Sequence, residues 1–415
     1  MRRVVITGLG AITPLGNSVK ELWENIVAGK SSAAPITKFD ATKFKTRFAC
    51  EVKNFHGEKY FEKKDIRKYD LFSQYAIAAA EEAVQSAQIE FSAYSEEEKA
   101  DIGVIWGSGN GGISTFEEQV GLLYQGDGTK FSPFFVPKKI EDIAAGIISI
   151  RYQLYGPNYC PVSACASSNT AIINAFDTIR AGKAFMMIAG GSEAPITASS
   201  IGGFNAAQAL SKRNDDPASA SRPFDKSRDG FVLGEGAGAL ILEEYEHAIK
   251  RNAPIYAELV GTGQAADAFH LTGTPRDGRG AKLSMRKALT EAGVQPEDVD
   301  YINAHATSTP VGDASEVVAI QTVFGNNRPY ISGTKSMTGH LLGGAGAVEA
   351  IICVMALRHG VVPPTINTRE LDEAIPANLN IVLGQPVAAG IQYALNNTFG
   401  FGGHTATTLF KKFEE

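Results

Sequence analysis

The sequence predicts an α/β protein of two like halves, with mostly parallel strands buried on both faces, and three observations carry that reading. At 415 residues the chain is too long for one ordinary domain. Short β-branched runs alternate with helical patterns and glycine turns, as in sheets whose crossovers are helices. Each half opens on an apolar strand running into a Gly-x-Gly, Gly8-Leu9-Gly10 and Gly261-Thr262-Gly263, and later presents a reactive segment that leads into a helix. The joint falls near residues 250–256, around Lys250-Arg251-Asn252-Ala253-Pro254, giving halves 1–253 and 254–415.

In order, strands are predicted over 4–7, 102–106 and 185–189, and helices over 70–87 and 140–155. Ile172, Ala175, Phe176 and Ile179 repeat at i, i+3, i+4, i+7, which gives a further helix ending near Gly182. The second half supplies strands over 257–260, 301–304, 330–333 and 392–396, and helices over 281–293 and 346–358. Two long excursions, 27–65 and 107–140, read as insertions that build a lid and an interface.

Composition narrows the function. Thirty-nine Lys and Arg against 45 Asp and Glu leave a net charge of −6, so no global basic field argues for nucleic acid. Four cysteines without a CxxC pair argue against a disulfide framework or a zinc site, and a reducing cytosol is the expected compartment. Met1 to Gly10 reads as a first strand rather than a signal peptide, and no run of 18 apolar residues predicts a membrane span. Gly107-Ser108-Gly109-Asn110-Gly111-Gly112 fits GxGxxG, but no second strand ending in an acid follows at the dinucleotide-site distance.

Three segments carry chemistry. In Val162-Ser163-Ala164-Cys165-Ala166-Ser167-Ser168 the cysteine stands at the mouth of a helix, whose dipole is expected to lower the thiol pKa; alternatively it is a small packing residue. Asn303-Ala304-His305-Ala306-Thr307-Ser308-Thr309-Pro310-Val311-Gly312-Asp313 places a histidine directly after an apolar strand, at a sheet's carboxyl edge. Ser332-Gly333-Thr334-Lys335-Ser336-Met337-Thr338-Gly339-His340 repeats that layout with a lysine and a second histidine. One thiol with two histidines at matching strand ends suits acyl transfer followed by stabilisation of an enolate oxygen.

These segments, with Asn397-Thr398-Phe399-Gly400-Phe401-Gly402-Gly403, Ser221-Arg222-Pro223-Phe224-Asp225 and residues 229–236, resemble the signature blocks of the β-ketoacyl-acyl-carrier-protein synthases, closest to the elongating type II. The resemblance implies a thiolase fold layered α/β/α/β/α, a homodimer, and decarboxylative condensation of an acyl thioester on Cys165 with malonyl-carrier protein. By the same resemblance His305 and His340 hold the malonyl thioester carbonyl, Lys335 supports them electrostatically, and the backbone N–H groups of Cys165 and Phe401 form an oxyanion hole. It also implies that Thr272, Thr307 and Thr309 bind the phosphopantetheine arm, and that Phe401 gates an acyl pocket lined in part by Asn110. No cofactor is expected beyond a possible monovalent cation near Asn303, Glu349, Asn396 and Asn397. Lys63, Lys64, Arg67 and Lys68, and separately Lys212 and Arg213, are the local basic patches for docking an acidic carrier protein. Three positions depart from the family pattern: Ala306 where glycine is common, Asn110 where the residue is usually apolar, and His404-Thr405 after Gly403. A thiolase or an initiating synthase would lack one histidine and a non-catalytic partner subunit would lack the cysteine, whereas a ketosynthase of a polyketide or aryl-polyene pathway stays open.

Overall fold

A computed structural model describes residues 1–127, 130–327 and 329–414. Its principal elements in chain order are strand β1 (Val4–Ile12), helix α1 (Leu71–Ser86), β2 (Ile102–Gly107), α2 (Ile143–Tyr152), β3 (Asn158–Tyr159), α3 (Ser167–Arg180), β4 (Met186–Glu193) and β5 (Gly236–Glu244). The second half adds β6 (Ala257–Ala266), α4 (Arg279–Ala292), β7 (Tyr301–Asn303), α5 (Pro310–Phe324), β8 (Tyr330–Ser332), α6 (Ala345–His359), β9 (Asn380–Ile381), β10 (Tyr393–Gly400) and β11 (His404–Lys411).

The hydrogen-bonded strand order is β9-β8-β7-β10-β11-β6-β1-β5-β4-β2-β3. Read outward from the central β6–β1 pair, β1-β5-β4-β2-β3 and β6-β11-β10-β7-β8 are the same pattern, so the two halves repeat one fold. Helix α1 covers the outer face of β1 and β5, α4 covers β6 and β11, and α3 and α6 lie between the halves. One apolar cluster joins both halves through Ile172, Phe176, Ile351 and Val354, and two others lie under α1 and α4. Every residue of α6 from Ala345 to Leu357 is buried, so this long apolar helix is the centre of the molecule.

Parallel pairing was expected to dominate and does so only on the flanks. β2 pairs parallel with β3 and β4, and β7 parallel with β8 and β10, but the central run from β4 to β10 is antiparallel at every step. For one of these pairs the reason is connectivity: β10 and β11 are joined by three residues, enough for a hairpin and too few for a parallel crossover.

The Gly-x-Gly pairs also differ from their reading as strand ends. Both lie inside their strands, where the helix backbone comes close: a Cβ on Gly8 would stand 2.2 Å from the Ala83 carbonyl oxygen, and one on Gly261 2.2 Å from that of Ala288. Sequence reasoning left out β5, which opens on Gly-Ala-Gly-Ala, β11, which reads His-Thr-Ala-Thr-Thr, and α5, which is hidden in the histidine motif.

Candidate active site

Cys165 sits in a single turn, Ala164–Ala166, that leads directly into α3. Ala164 has φ +51°, a left-handed conformation that an alanine adopts at a cost, and the turn is held by Ser167, whose hydroxyl accepts from the Ser163 N–H at 2.9 Å and donates to the Ala164 carbonyl at 2.7 Å. The backbone N–H groups of Phe401 and of Cys165 itself both donate toward Sγ. Gly400 permits this approach, since a Cβ there would lie 2.5 Å from the Ser163 carbonyl oxygen.

The helix mouth does not make the free cysteine a thiolate. Burial pushes its thiol up to about 12; Lys335 and the two N–H groups pull the other way, and the nearby Glu193 carboxylate adds to the rise. Ile201, Phe231 and Leu342 build the apolar cluster packed against Cys165, so desolvation of the sulfur outweighs the dipole.

His305 and His340 follow β7 and β8 and stack edge to face, ring centroids 5.3 Å apart. Both rings are buried, and burial, then the Lys335 charge, hold both pKa values well below the usual imidazole range, so both are neutral at physiological pH. Each leaves Nδ1 without a partner among the described residues. Phe231 packs edge-on against His340 at 5.2 Å, and Glu316 fixes the other loop by accepting from the His305 and Ala306 N–H groups, both at 2.8 Å. Neither residue stood out in the sequence; Glu316, eleven residues after His305, faces that loop only because α5 folds back onto it. Ala306 has φ +34°, and its methyl is tolerated because position 333 is glycine, where a Cβ would lie 2.9 Å away.

Lys335 is buried and ion-paired to Glu349, whose carboxyl burial holds at about 7 against that pairing. Among the described residues, Oε2 of Glu349 has no hydrogen-bond partner, and neither have Oδ1 of Asn396 nor Oγ1 of Thr398. The amide oxygens of Asn303 and Asn397 are taken by Thr334 at 3.3 Å and Thr407 at 2.9 Å. Two of the four residues expected around a cation therefore present a free buried oxygen, joined by one that was not expected, and hard oxygen donors of this kind fit a monovalent cation.

A cavity of about 330 Å³ brings together Cys165, His305, His340, Phe401, Thr272, Thr307 and Thr309. Thr307 and Thr309 share a hydrogen bond of 3.0 Å between their hydroxyls. Phe401 stands at the tip of the β10–β11 hairpin between Gly400 and the left-handed Gly402 and Gly403, and Gly402 donates to the Leu271 carbonyl across the mouth at 2.7 Å.

Asn110 is not on the walls of this cavity. Its backbone N–H and side-chain Nδ2 both turn to the buried Glu193, at 3.2 and 3.3 Å. The basic residues lie outside the cavity too. Lys212 is tied through its N–H to Asp229, a residue of the cavity wall, and Arg213 bonds Ser219. Lys63 and Lys64 lie on a short helix, Lys63–Ile66, with Arg67 and Lys68 directly after it, and there Lys64 pairs with Glu62 and Lys68 with Asp65.

A thiol met by two backbone N–H groups, in one cavity with two neutral imidazoles at the seam of a duplicated α/β fold, defines an acyltransferase of the condensing class. Comparison with known proteins makes this specific: residues 1–248 match the family model "Beta-ketoacyl synthase, N-terminal domain" and residues 256–369 match "Beta-ketoacyl synthase, C-terminal domain". The chain belongs to the beta-ketoacyl synthase family. It is 46% identical to the 3-oxoacyl-[acyl-carrier-protein] synthase 2 of Synechocystis sp. over 100% of this chain and 99% of that one, and 48% identical to the Vibrio cholerae enzyme of the same name over 99% of each. Among solved structures it resembles the ishigamide ketosynthase/chain length factor with a TM-score of 0.93 at 33% identity, covering 100% of both chains.

Proposed function

We propose that the protein elongates acyl chains on acyl carrier protein by decarboxylative Claisen condensation, as a 3-oxoacyl-acyl-carrier-protein synthase of fatty acid synthesis. The observation that carries this is the cavity holding a thiol and two neutral imidazoles together, with two backbone N–H groups aimed at the sulfur.

In the first half-reaction the Cys165 sulfur forms a bond to the acyl carbonyl carbon, the carbonyl oxygen gathers charge between the N–H groups of Cys165 and Phe401, and the carrier thiol leaves with the proton. In the second, the malonyl carbon–carboxylate bond breaks, carbon dioxide leaves, and the electron pair passes onto the thioester oxygen as an enolate. Neutral imidazoles donate N–H to that oxygen, as Nε2–H of His305 and His340 does in this reading, without first losing a proton. The enolate carbon then attacks the acyl thioester, the C–S bond to Cys165 breaks, and the 3-oxoacyl chain stays on the carrier.

Thr272, Thr307 and Thr309 line the approach for the phosphopantetheine arm. Lys212 and Arg213, next to the cavity wall, and Lys63, Lys64, Arg67 and Lys68 are proposed as the docking face for an acidic carrier, the latter group weakened by its own ion pairs. A monovalent cation beside Glu349 and Asn396 would supply charge that steadies the buried Lys335–Glu349 pair. A second copy of the chain is proposed to cover the apolar side chains that the 107–140 excursion exposes, among them Leu122, Tyr124 and Val136. The cytosol suits a reaction that needs Cys165 reduced. A polyketide pathway has less support, because the relatives named 3-oxoacyl-[acyl-carrier-protein] synthase 2 are closer in sequence than the ishigamide enzyme.

Cys165→Ala tests the reading. With malonyl-carrier protein and a ladder of acyl primers, mass spectrometry should find no acyl-enzyme and no 3-oxoacyl product, while carbon dioxide is still released. A Cys165→Ala protein that still elongates primers overturns it.

A further inference from the structure

Glu193 closes β4 and is fully buried, yet the reaction as derived does not use it. Its Oε1 accepts from the Gly109 N–H at 2.5 Å and the Asn110 N–H at 3.2 Å, the Gly343 N–H donates to the same carboxylate, and Oε2 accepts from Asn110 Nδ2 at 3.3 Å. A Cβ on Gly109 would lie 3.0 Å from Oε1 and 3.4 Å from the Ala164 carbonyl oxygen, so the carboxylate and the nucleophile turn are neighbours across that glycine. A Cβ on Gly343 would lie 2.6 Å from Oε1 and from the Gly109 N–H alike. Three segments meet on this one side chain: the loop after β2, the end of β4, and the Leu342–Gly344 turn that follows His340. Among the described residues it has four hydrogen-bond donors and no cationic partner.

We propose that Glu193 is a positioning residue for the condensation, a single carboxylate that clamps the Gly109-Asn110 loop and the Gly343 turn beneath Cys165 and whose charge restrains the free thiol. A carboxylate there opposes ionisation of the sulfur, whereas a neutral thioester does not feel it. The charge therefore bears on the step in which the thiol ionises and not on the loaded thioester. Asn110 thereby gains a role as donor to the clamp. Burial holds the Glu193 carboxyl at about 7, so its charge develops near neutral pH. The other charged or titratable groups around the pair are Lys335, His305 and His340 on the Cys165 side, and Cys160, itself near Glu141 and Asp142, on the Glu193 side.

The proposal rests on Cys165 being the nucleophile, but its test reads the thiol directly and not turnover. Alkylation of Cys165 by iodoacetamide, followed from pH 6 to 9 and assigned by mass spectrometry of its peptide so that Cys160 is scored apart, is compared in the wild type, Glu193→Gln and Asn110→Ala. Glu193→Gln keeps an oxygen for the Gly109 and Gly343 N–H groups and removes the charge. It should match the wild type at pH 6 and outrun it above pH 7, by about threefold or more at pH 8.5, because the wild-type curve flattens as the carboxyl ionises. Asn110→Ala, which removes one donor, should move that flattening to higher pH. A constant ratio between Glu193→Gln and the wild type at every pH would overturn the proposal, as would a slower variant. If Glu193→Gln fails to fold, an Asn110→Ala curve superimposed on the wild type overturns it. Failure of the functional reading would show differently, as elongation surviving in Cys165→Ala.

Discussion

At the scale of single residues, the site divides into groups legible in the chain and a state that was not. Cys165, His305, His340 and Lys335 stand in short blocks whose residue types already fit the chemistry, and the structure gathers the thiol and both rings in one cavity over the buried lysine. If both rings stabilise the enolate, His305→Ala and His340→Ala should each slow carbon dioxide release from malonyl-carrier protein by about 10²-fold, the cost of one lost oxyanion donor. Acylation of Cys165, followed by burst kinetics, should change less; equal loss in both half-reactions would mean the rings act on folding or on the thiol. What the sequence could not carry is the balance of desolvation against local charge, because burial is set by residues far away in the chain. The helix mouth suggested a low thiol pKa, while packing against Ile201, Phe231 and Leu342 puts it at about 12. The same balance keeps the imidazoles neutral, and the Lys335 charge is part of it. A lowered pKa means that conversion to imidazolium, which keeps the N–H donors but adds a charge to each buried ring, begins only well below the ordinary histidine range. Replacing the ion pair by Lys335→Met with Glu349→Gln removes the nearby positive charge without stranding a carboxylate, so the acid limb of the decarboxylation pH profile should move to higher pH. An acid limb that stays in place would mean burial alone holds the rings neutral.

At the scale of elements, periodicity found strands and helices with strong apolar patterns, including both central helices, within a few residues of their ends. It missed elements made of small or hydroxyl residues. β11 reads His404-Thr405-Ala406-Thr407-Thr408 because its side chains meet polar partners in a buried layer: Thr408 donates to Asn169 Oδ1 and Thr407 to Asn397 Oδ1. Glycines misled for a physical reason. Gly8 and Gly261 are spaces for helix backbone, repeated at matching places in the two halves, and a turn-forming glycine looks the same in sequence. Gly8→Val and Gly261→Val should each cost about 3 kcal/mol, the upper end for overpacking, since the obstacle is a carbonyl oxygen and not a side chain that can rotate away. Thermal or denaturant unfolding reads this directly. Because the halves repeat, the two losses should be alike; a tolerated valine at either place would show that the helix there can back off its sheet.

At the scale of the whole molecule, the catalytic groups come from different halves. Cys165 belongs to the first, His305, His340 and Lys335 to the second, and they meet only because α3 and α6 pack against each other in the central layer. In the proposed mechanism decarboxylation requires groups from the second half alone, whereas carbon–carbon bond formation also requires the acyl chain on Cys165 at attack distance. The contact that sets this distance is near the N-termini of the two helices. A Cβ on Gly346 would lie 2.8 Å from Asn169 Cβ and 3.0 Å from both Asn169 N and Thr398 Oγ1, and the Ala347 N–H donates to Ser168 Oγ at 3.0 Å. Asn169, four residues past the nucleophile, is itself pinned to β11 through its bonds to Ala406 and Thr408, so it has little room to yield. Gly346→Ala should therefore displace the start of α3, and with it Cys165, by a few tenths of an ångström relative to the histidines. Overpacking of this size costs about 1–3 kcal/mol and should lower Tm. Positioning of reacting atoms is steep enough, about 10²-fold for 1 Å, that condensation should fall by about tenfold while carbon dioxide release is nearly kept. The measurement is the ratio of carbon dioxide released to 3-oxoacyl product formed from the same acyl primer and malonyl-carrier protein. In the wild type the two are coupled; in Gly346→Ala carbon dioxide should be in excess. If both rates fall in step, the substitution has unsettled the second half itself, and the register between the halves is not what brings the acyl chain to the enolate.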